Sequence, residues 1–418
     1  MIDEDRVSRG ADLVERKNSG NRRRSTDSDN MAGGERLRIL QVIPYFAPKW
    51  GGDVNVCYTI SRNLAKRGHS VTIVTTDLGF DHLYSKSIEN DGVRVLSFPC
   101  VSTLGFYLIS PRMKNWLEEN VGSFEIVHLH NARSYQNHIA VHYARKFHVP
   151  YVIQAHGSLE RVGGKRALKG LYDFVYGSSI MKHADRFLAV SELESEQYKR
   201  LTTDGTRIEL VPNCLESERY KTLPEHGQFR RKYGLTSEEI VLYQGRIHRT
   251  KNIDSLIRGF DIVRKERPNA ILIVAGPGFG YERNLRAMVR RLGLIKSVRF
   301  VGFVENPLEA YVDADLLVNP RVDEIFGLVP LEAAMCGTPV IVSDKCGTAP
   351  LVSKSGCGRV VDTANPKVLA RMIIEMLSIK GVSNDGAAKA KEALQQNLGC
   401  DTVLDRLEEV YRDCVHRT

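Results

Sequence analysis

No uninterrupted apolar run in this 418-residue chain reaches the roughly 20 residues that a membrane-spanning helix needs. The chain is therefore expected in the cytosol or lying against a membrane face. Its eight cysteines form no C-x-x-C pair and no cysteine–histidine spacing that would hold zinc. That excludes a structural zinc module and points to free thiols in a reducing compartment. The first 30 residues have almost no large apolar side chains and mix both charge signs. They lack the apolar core of a secretory signal, and their acidic residues argue against a transit peptide. Residues 1–34 are expected to form a disordered tail, with Met31 a second candidate start. There is no basic block either. Lys and Arg outnumber Asp and Glu by 59 to 50, a net charge of +9, but they are spread along the chain. Such a balance suits an anionic partner without choosing among nucleotide, anionic lipid and nucleic acid.

What is present is a 42% hydrophobic content, enough for two cores in a chain of this length. Short β-rich runs alternate with amphipathic segments, the pattern of a parallel sheet with helices on both faces. The first series of strands reads "LRILQVIP", "SVTIVTT", "VRVLSFP", "EIVHLH", "PYVIQAHG", "RFLAVS" and "IELVPN". A polar stretch with Pro and Gly then interrupts it. The second series reads "IVLYQG", "AILIVAG", "VRFVGF", "ADLLVNP", "TPVIVSD" and "GRVVD". Helices are expected over 55–67, 135–147, 252–265 and 281–292. These patterns predict a first α/β domain over 35–213, a linker over 214–235 and a second α/β domain over 236–385. A C-terminal helical stretch over 386–418 is placed to pack back on the first domain.

Open α/β sheets bind ligands beyond the carboxyl ends of their strands, so loops after strands should carry the chemistry. After "IVLYQG" come Arg246 and, five residues on, Lys251, followed by Asn252 at a helix start. A guanidinium, an ammonium and a helix dipole acting on one anion make a diphosphate site, although loop cations are more often solvated surface. "VAGPGFGYERNL" places Gly276, Gly278 and Gly280 in G-x-G-x-G spacing after the second strand of its domain. A dinucleotide fingerprint needs G-x-G-x-x-G after the first strand, so a turn beside a nucleotide is expected here and a nicotinamide site is not.

The stretch "DEIFGLVPLEAAMCGTPVIVSD" puts Glu324 just before a helix beginning near Gly327. The amides of Gly327, Leu328 and Val329 would be unpaired in its first turn. Either Glu324 caps that helix, or an external anion takes the amides and Glu324 lies near the group attached to it. Glu332 falls inside an otherwise apolar helix expected to be buried, and a buried carboxylate needs partners. Ribose hydroxyls would satisfy it.

Together, "GRIHRTKN", "VAGPG", "VGFV" and "EIFGLVPLEAAMCGTPVIVSD" resemble the second domain of retaining glycosyltransferases of family 4, which share the GT-B fold. The pair Glu324 and Glu332 matches that family's Glu-x7-Glu hallmark. In the first half, "PYFAPKWGGDVNVCYTISRNLAKRGHSVTIVTT" is similar to the family's glycine-rich loop and the helix and strand that follow it, and "AHGS", "ADRFLAVSE" and "VPN" fit as well. The resemblance runs from about Leu37 to the C-terminus. It implies two doubly wound, Rossmann-like α/β domains facing across a cleft.

The resemblance also implies roles. Arg246 and Lys251 would neutralise the diphosphate of a UDP- or GDP-sugar donor and replace a metal ion, so no metal or cofactor is expected. Glu332 would hold the ribose. Glu324 would bind hydroxyls of the donor sugar, aided by the amides after Phe326. Gly51 and Gly52 would let their loop approach the phosphates, Gly276 would lie at the donor site, and Val304 falls where the family's backbone contacts the base. His156 matches the first-domain histidine that reaches the sugar near its anomeric centre, although a lone histidine after a strand is more often structural. The implied reaction transfers a sugar to a hydroxyl of a glycan or lipid-linked acceptor with retention, with no side chain assigned as nucleophile. No nucleic-acid partner is expected.

Three positions depart from the family pattern. Arg321 stands where Ser is usual, Cys214 where Gly commonly follows "VPN", and the residues around Ala349 lack an acidic side chain. Alternatives are a GT-B epimerase or phosphorylase, or a non-catalytic nucleotide-sugar-binding subunit. Finally, Arg161, Lys165, Arg166, Lys169 and Lys182 lie among Leu168, Leu171, Phe174 and Val175. That segment either rests on an anionic leaflet or is an ordinary basic surface helix.

Overall fold

The computed structural model describes residues 35–104, 107–160, 166–202, 204–379 and 384–417. The expected tail, and Arg161 and Lys165 of the basic segment, lie outside the described residues.

Two parallel sheets organise the chain. The first contains β1 (Arg38–Val42), β2 (Ser70–Thr76), β3 (Arg94–Phe98), β6 (Ile126–His130), β7 (Tyr151–Gln154), β8 (Arg186–Ala189) and β9 (Ile208–Leu210), in the order β3-β2-β1-β6-β7-β8-β9. Between β3 and β6 lies a small antiparallel hairpin, β4 (Ser102–Leu104) and β5 (Tyr107–Ile109), which the sequence reading did not anticipate. The second sheet contains β10 (Glu239–Gln244), β11 (Ala270–Ala275), β12 (Val298–Gly302), β13 (Leu316–Asn319), β14 (Val340–Ser343) and β15 (Gly358–Val361), in the order β12-β11-β10-β13-β14-β15. In each sheet the order reverses beside the first strand, which opens a crevice at the strands' carboxyl ends.

Strand alternation explains why both faces are covered. In β1, Ile39 belongs to the core beneath the helix Gly52–Lys66, whereas Leu40 and Val42 belong to the core on the opposite face. In β10, Ile240 and Leu242 point one way, and Val241 and Tyr243 the other. Strands apolar on both faces need helices on both faces, and right-handed crossovers supply them.

Three expectations change. The helix expected from Asn55 begins at Gly52, so Gly52 is its first residue rather than part of a loop. The polar stretch 214–235, expected as a linker, is anchored to the second domain: Leu215, Tyr220, Phe229 and Leu235 are buried in its core. Four apolar residues scattered through polar sequence conceal that packing. Residues 386–415, expected as one helical stretch, form two helices, Asn384–Leu398 and Cys400–His416, divided at Gly399. Ala390, Leu394 and Leu398 of the first pack on the second domain, whereas Val403, Leu404, Leu407 and Tyr411 of the second pack on the first domain. Arg67 fastens that last helix by ion pairs to Asp401, Asp405 and Glu408. The chain therefore crosses between domains twice, and the crossings touch: Leu215 N donates to Leu398 O at 2.7 Å.

Candidate active site

The second domain's part of the site begins where β10 ends. Gly245 turns with φ 145° and Arg246 follows. Gly276 (φ 139°) packs its backbone on this turn so closely that a Cβ there would sit 1.9 Å from Gly245 O, so no other residue fits. Ile247 N donates to Pro277 O at 2.9 Å and Phe279 N to Ile247 O at 3.0 Å. The glycine-rich turn therefore buttresses the loop that carries Arg246. The guanidinium lies 5.5 Å from the Phe279 ring centroid and donates to Trp50 O of the first domain at 3.2 Å.

Lys251 closes the short 3-10 turn Arg249–Lys251, and Asn252, in the left-handed region at φ 54°, starts the helix Ile253–Glu266. The Asn252 amide donates to Pro320 O and Thr363 O, which ties this loop to the one after β13. That tie brings two charges together. Lys251 Nζ lies 2.7 Å from Glu324 Oε2, and Arg321 Nη1 lies 2.8 Å from Glu324 Oε1. Burial pushes the Glu324 carboxyl up, but Lys251 and Arg321 outweigh it and hold it below its ordinary range. Burial pushes the Lys251 ammonium down, partly opposed by Glu324. One carboxylate among Arg246, Lys251 and Arg321 leaves excess positive charge for an anion.

This arrangement corrects three readings. Glu324 does not cap the helix Leu328–Met335: its N-cap, Gly327, has no side-chain cap, because both Glu324 oxygens are engaged by cations. Arg321, one of the departures from the family pattern, is one of those cations. The Gly327 amide is directed at the Cys346 sulfur, whereas among the described residues those of Leu328 and Val329 have no protein acceptor. Glu332 is half-buried rather than buried; it receives the Tyr311 hydroxyl on Oε2 at 3.0 Å. A helix with one face in the core and the other on the crevice exposes that position even though its sequence is apolar. Phe326 is half-buried against the second core, Leu328 packs against cores of both domains, and Val304 is buried.

The first domain supplies the opposing wall. Gly51 (φ 135°) precedes the helix Gly52–Lys66, and a Cβ there would come 3.7 Å from the Arg246 guanidinium. Gly52 faces open space, so its lack of a side chain leaves room rather than relieving a protein contact. His156 follows β7 with φ 52°, and Gly157 N donates to Glu194 Oε1 at 2.6 Å. A Cβ on Gly157 would meet Ile325 Cγ1 at 2.8 Å, so the His156 loop rests directly on the Glu324 loop. His156 Nε2 lies 2.9 Å from His130 Nδ1, and burial lowers its pKa to about 4 against the opposing charge of Asp53. Asp53 is held by Asn131 Nδ2 at 3.0 Å.

The sequence reading missed Asp53, Asn131, His130 and Tyr311 as members of this site. His130 ends β6 and Asn131 follows it, positions that should have marked them.

Two doubly wound domains meeting across a crevice, with clustered cations at loop and helix starts of the second, define the GT-B fold. Residues 50–219 match Glycosyltransferase Family 4 and residues 226–394 match Glycosyl transferases group 1. The chain belongs to the family 4 glycosyltransferases and is an enzyme of sugar transfer. It is 26% identical over 390 residues to an uncharacterized glycosyltransferase of Methanocaldococcus jannaschii, spanning 90% of this chain and 98% of that protein. It is 23% identical over 378 residues to the N-acetyl-alpha-D-glucosaminyl L-malate synthase of Bacillus anthracis, spanning 88% and 95% respectively. Its fold is similar to that of Anabaena HepE in complex with UDP and glucose, with a TM-score of 0.76 and 19% identity over 90% of this chain and 100% of that one.

Proposed function

We propose that this enzyme moves a sugar from a nucleoside-diphosphate donor to a hydroxyl acceptor with retention of anomeric configuration. The observation that carries this reading is the cluster of Arg246, Lys251 and Arg321 around one carboxylate, beside the free amides of Leu328 and Val329. Its uncompensated charge suits a diphosphate, and fixed donors aimed at a departing anion lower the barrier without reorganising. In this role Arg246 and Lys251 do the work of a metal ion. Glu332, with Oε1 unclaimed by the described protein, takes the ribose; Glu324 and His156 contact the sugar. A UDP-sugar is the first donor to test, since the Anabaena protein of similar fold holds UDP.

The acceptor belongs on the first domain, where a cavity of about 540 Å³ lies beside Leu159 and is lined by Arg166 and Arg200. Among the described residues no helix is long and apolar enough to cross a membrane. Leu171, Phe174 and Val175 are nonetheless exposed near the exposed Arg166 and Lys182, which supports peripheral contact with an anionic leaflet and a lipid-linked acceptor. Flotation with anionic liposomes at low salt checks this; protein left at the bottom of the gradient removes it.

The central experiment is a thermal-shift screen against UDP-, GDP- and ADP-sugars with EDTA present, followed by turnover and anomer analysis. One nucleotide family should stabilise the protein and yield a retained linkage. An inverted linkage, a free epimerised sugar or a sugar phosphate would overturn the reading.

A further inference from the structure

Three imidazoles line up inside the first domain, and only the last reaches the crevice. His128 and His130 stand two apart on β6, so they share a face, and their rings stack at 4.3 Å. His130 and His156 lie edge to edge: their planes are 2° apart, their centroids 5.2 Å apart and their nitrogens 2.9 Å apart. That is the geometry of an in-plane hydrogen bond. On its other side His130 Nε2 lies 2.7 Å from Gln41 Oε1 on the neighbouring strand β1. His128 Nδ1 lies 2.7 Å from the Tyr411 hydroxyl on the last helix.

We propose that His130, held by Gln41, is a positioning residue that fixes His156 as a hydrogen-bond acceptor toward the crevice. This rests on the reading that His156 faces the donor sugar. A neutral imidazole has one N–H and one lone pair, so a hydrogen bond at one nitrogen dictates the other. Gln41 Oε1 only accepts, so His130 Nε2 carries the proton and His130 Nδ1 is bare. His156 Nε2 must then donate to it, and His156 Nδ1 is left as the lone pair. That atom has no partner among the described residues and is not sealed from solvent. All three rings are kept neutral by burial, which is what allows the chain of single protons to have a direction.

The direction depends on Gln41. The Gln41 oxygen is placed toward His130 Nε2 at 2.7 Å, and that orientation of the amide sets the direction of the row. With the amide reversed, every proton in the row would move to the opposite nitrogen and His156 would present an N–H. The assigned direction means that His156 receives a hydroxyl of the sugar and does not protonate one.

The test is long-range ¹H–¹⁵N spectroscopy of ring-labelled histidine near pH 7.5, with the His156 signals identified by their loss in His156→Ala. The wild type should show His156 with a protonated Nε2 and a bare Nδ1. His130→Phe should release it into a tautomer mixture and lower kcat about 10- to 100-fold with an unchanged acceptor KM. Gln41→Leu, which removes the bias while leaving all three rings, should give the same mixture and serves if His130→Phe fails to fold. A protonated Nδ1 in the wild type, or an unchanged tautomer in both variants, overturns the proposal. Because the spectrum is read without turnover, it also separates this proposal from the functional one. A His156→Ala enzyme with full activity would defeat the role of His156 in catalysis while leaving the tautomer assignment standing or falling on its own.

Discussion

Lys251 Nζ lies 2.7 Å from Glu324 Oε2, and the bond joins the loop after β10 to the loop after β13, 73 residues on. Both side chains are largely shielded, with 18% and 14% of their surface exposed. The pair is where the second domain's charge is concentrated and where the donor phosphates are proposed to sit.

Replacing Lys251 with Ala removes a phosphate partner and one of the two cations on Glu324. The expected loss is about 2–4 kcal/mol of transition-state stabilisation, or roughly 30- to 1,000-fold in kcat. Arg321 still neutralises Glu324, so the melting temperature should change much less than the rate. Steady-state kinetics beside a thermal melt checks this, and an unchanged kcat would detach Lys251 from the chemistry.

Gly276 and Gly52 should respond differently to alanine. At Gly276 a Cβ would collide with Gly245 O and φ is 139°, so Gly276→Ala is expected to cost about 2–4 kcal/mol and to displace the Arg246 loop. At Gly52 the added methyl meets nothing and sits at a helix start, so stability should hold. Donor affinity should fall in the second variant only if the donor occupies that space, which calorimetric titration with UDP reads directly.

Acid should destabilise the first domain. Burial lowers His128 to about 3 and His156 to about 4, and lowers His130 well below its ordinary value of 6.5. Between pH 6.5 and 4 the unfolded chain takes up protons that the folded one refuses, so stability falls as pH falls through that window. Glu194, raised to about 7 by burial, runs the other way between 4.5 and 7 and softens the slope. The depressed Glu324 adds a further loss at lower pH. Denaturant melts from pH 8 to 4 should show a drop steepening below pH 6; a flat profile would contradict three neutral buried rings.

At the two crossings between domains, Cys214 and Cys400 bring their sulfurs to 3.2 Å. Cys400 is partly exposed at the start of the 17-residue helix Cys400–His416. Hydrogen peroxide should oxidise it to a sulfenic acid with release of water. The Cys214 thiol should then displace a second water to form a disulfide. Mass spectrometry should find the chain lighter by two hydrogens, with peptides containing the two residues linked. Accumulation of a stable sulfenic acid at Cys400, trapped without linkage, would show that the sulfurs do not close.

Local chemistry made much of this architecture legible. The apolar runs from 37–44 to 358–362 each correspond to one of the parallel strands, because a strand buried on both faces has no alternative to continuous apolar side chains. Arg246, Lys251 and Glu324 were legible for a related reason, as charges in loops that follow such strands, and Glu332 as a carboxylate within an apolar helix. Pairing was not legible. That Arg321 and Lys251 share Glu324, that Tyr311 holds Glu332 and that His130 holds His156 depends on which strands lie side by side and on how deeply each group is buried. Sequence determined the elements and the residue types offered to the crevice. Only the tertiary structure decided which charges meet, because a carboxylate's partner is fixed by distance and desolvation, and neither is a property of the sequence around it.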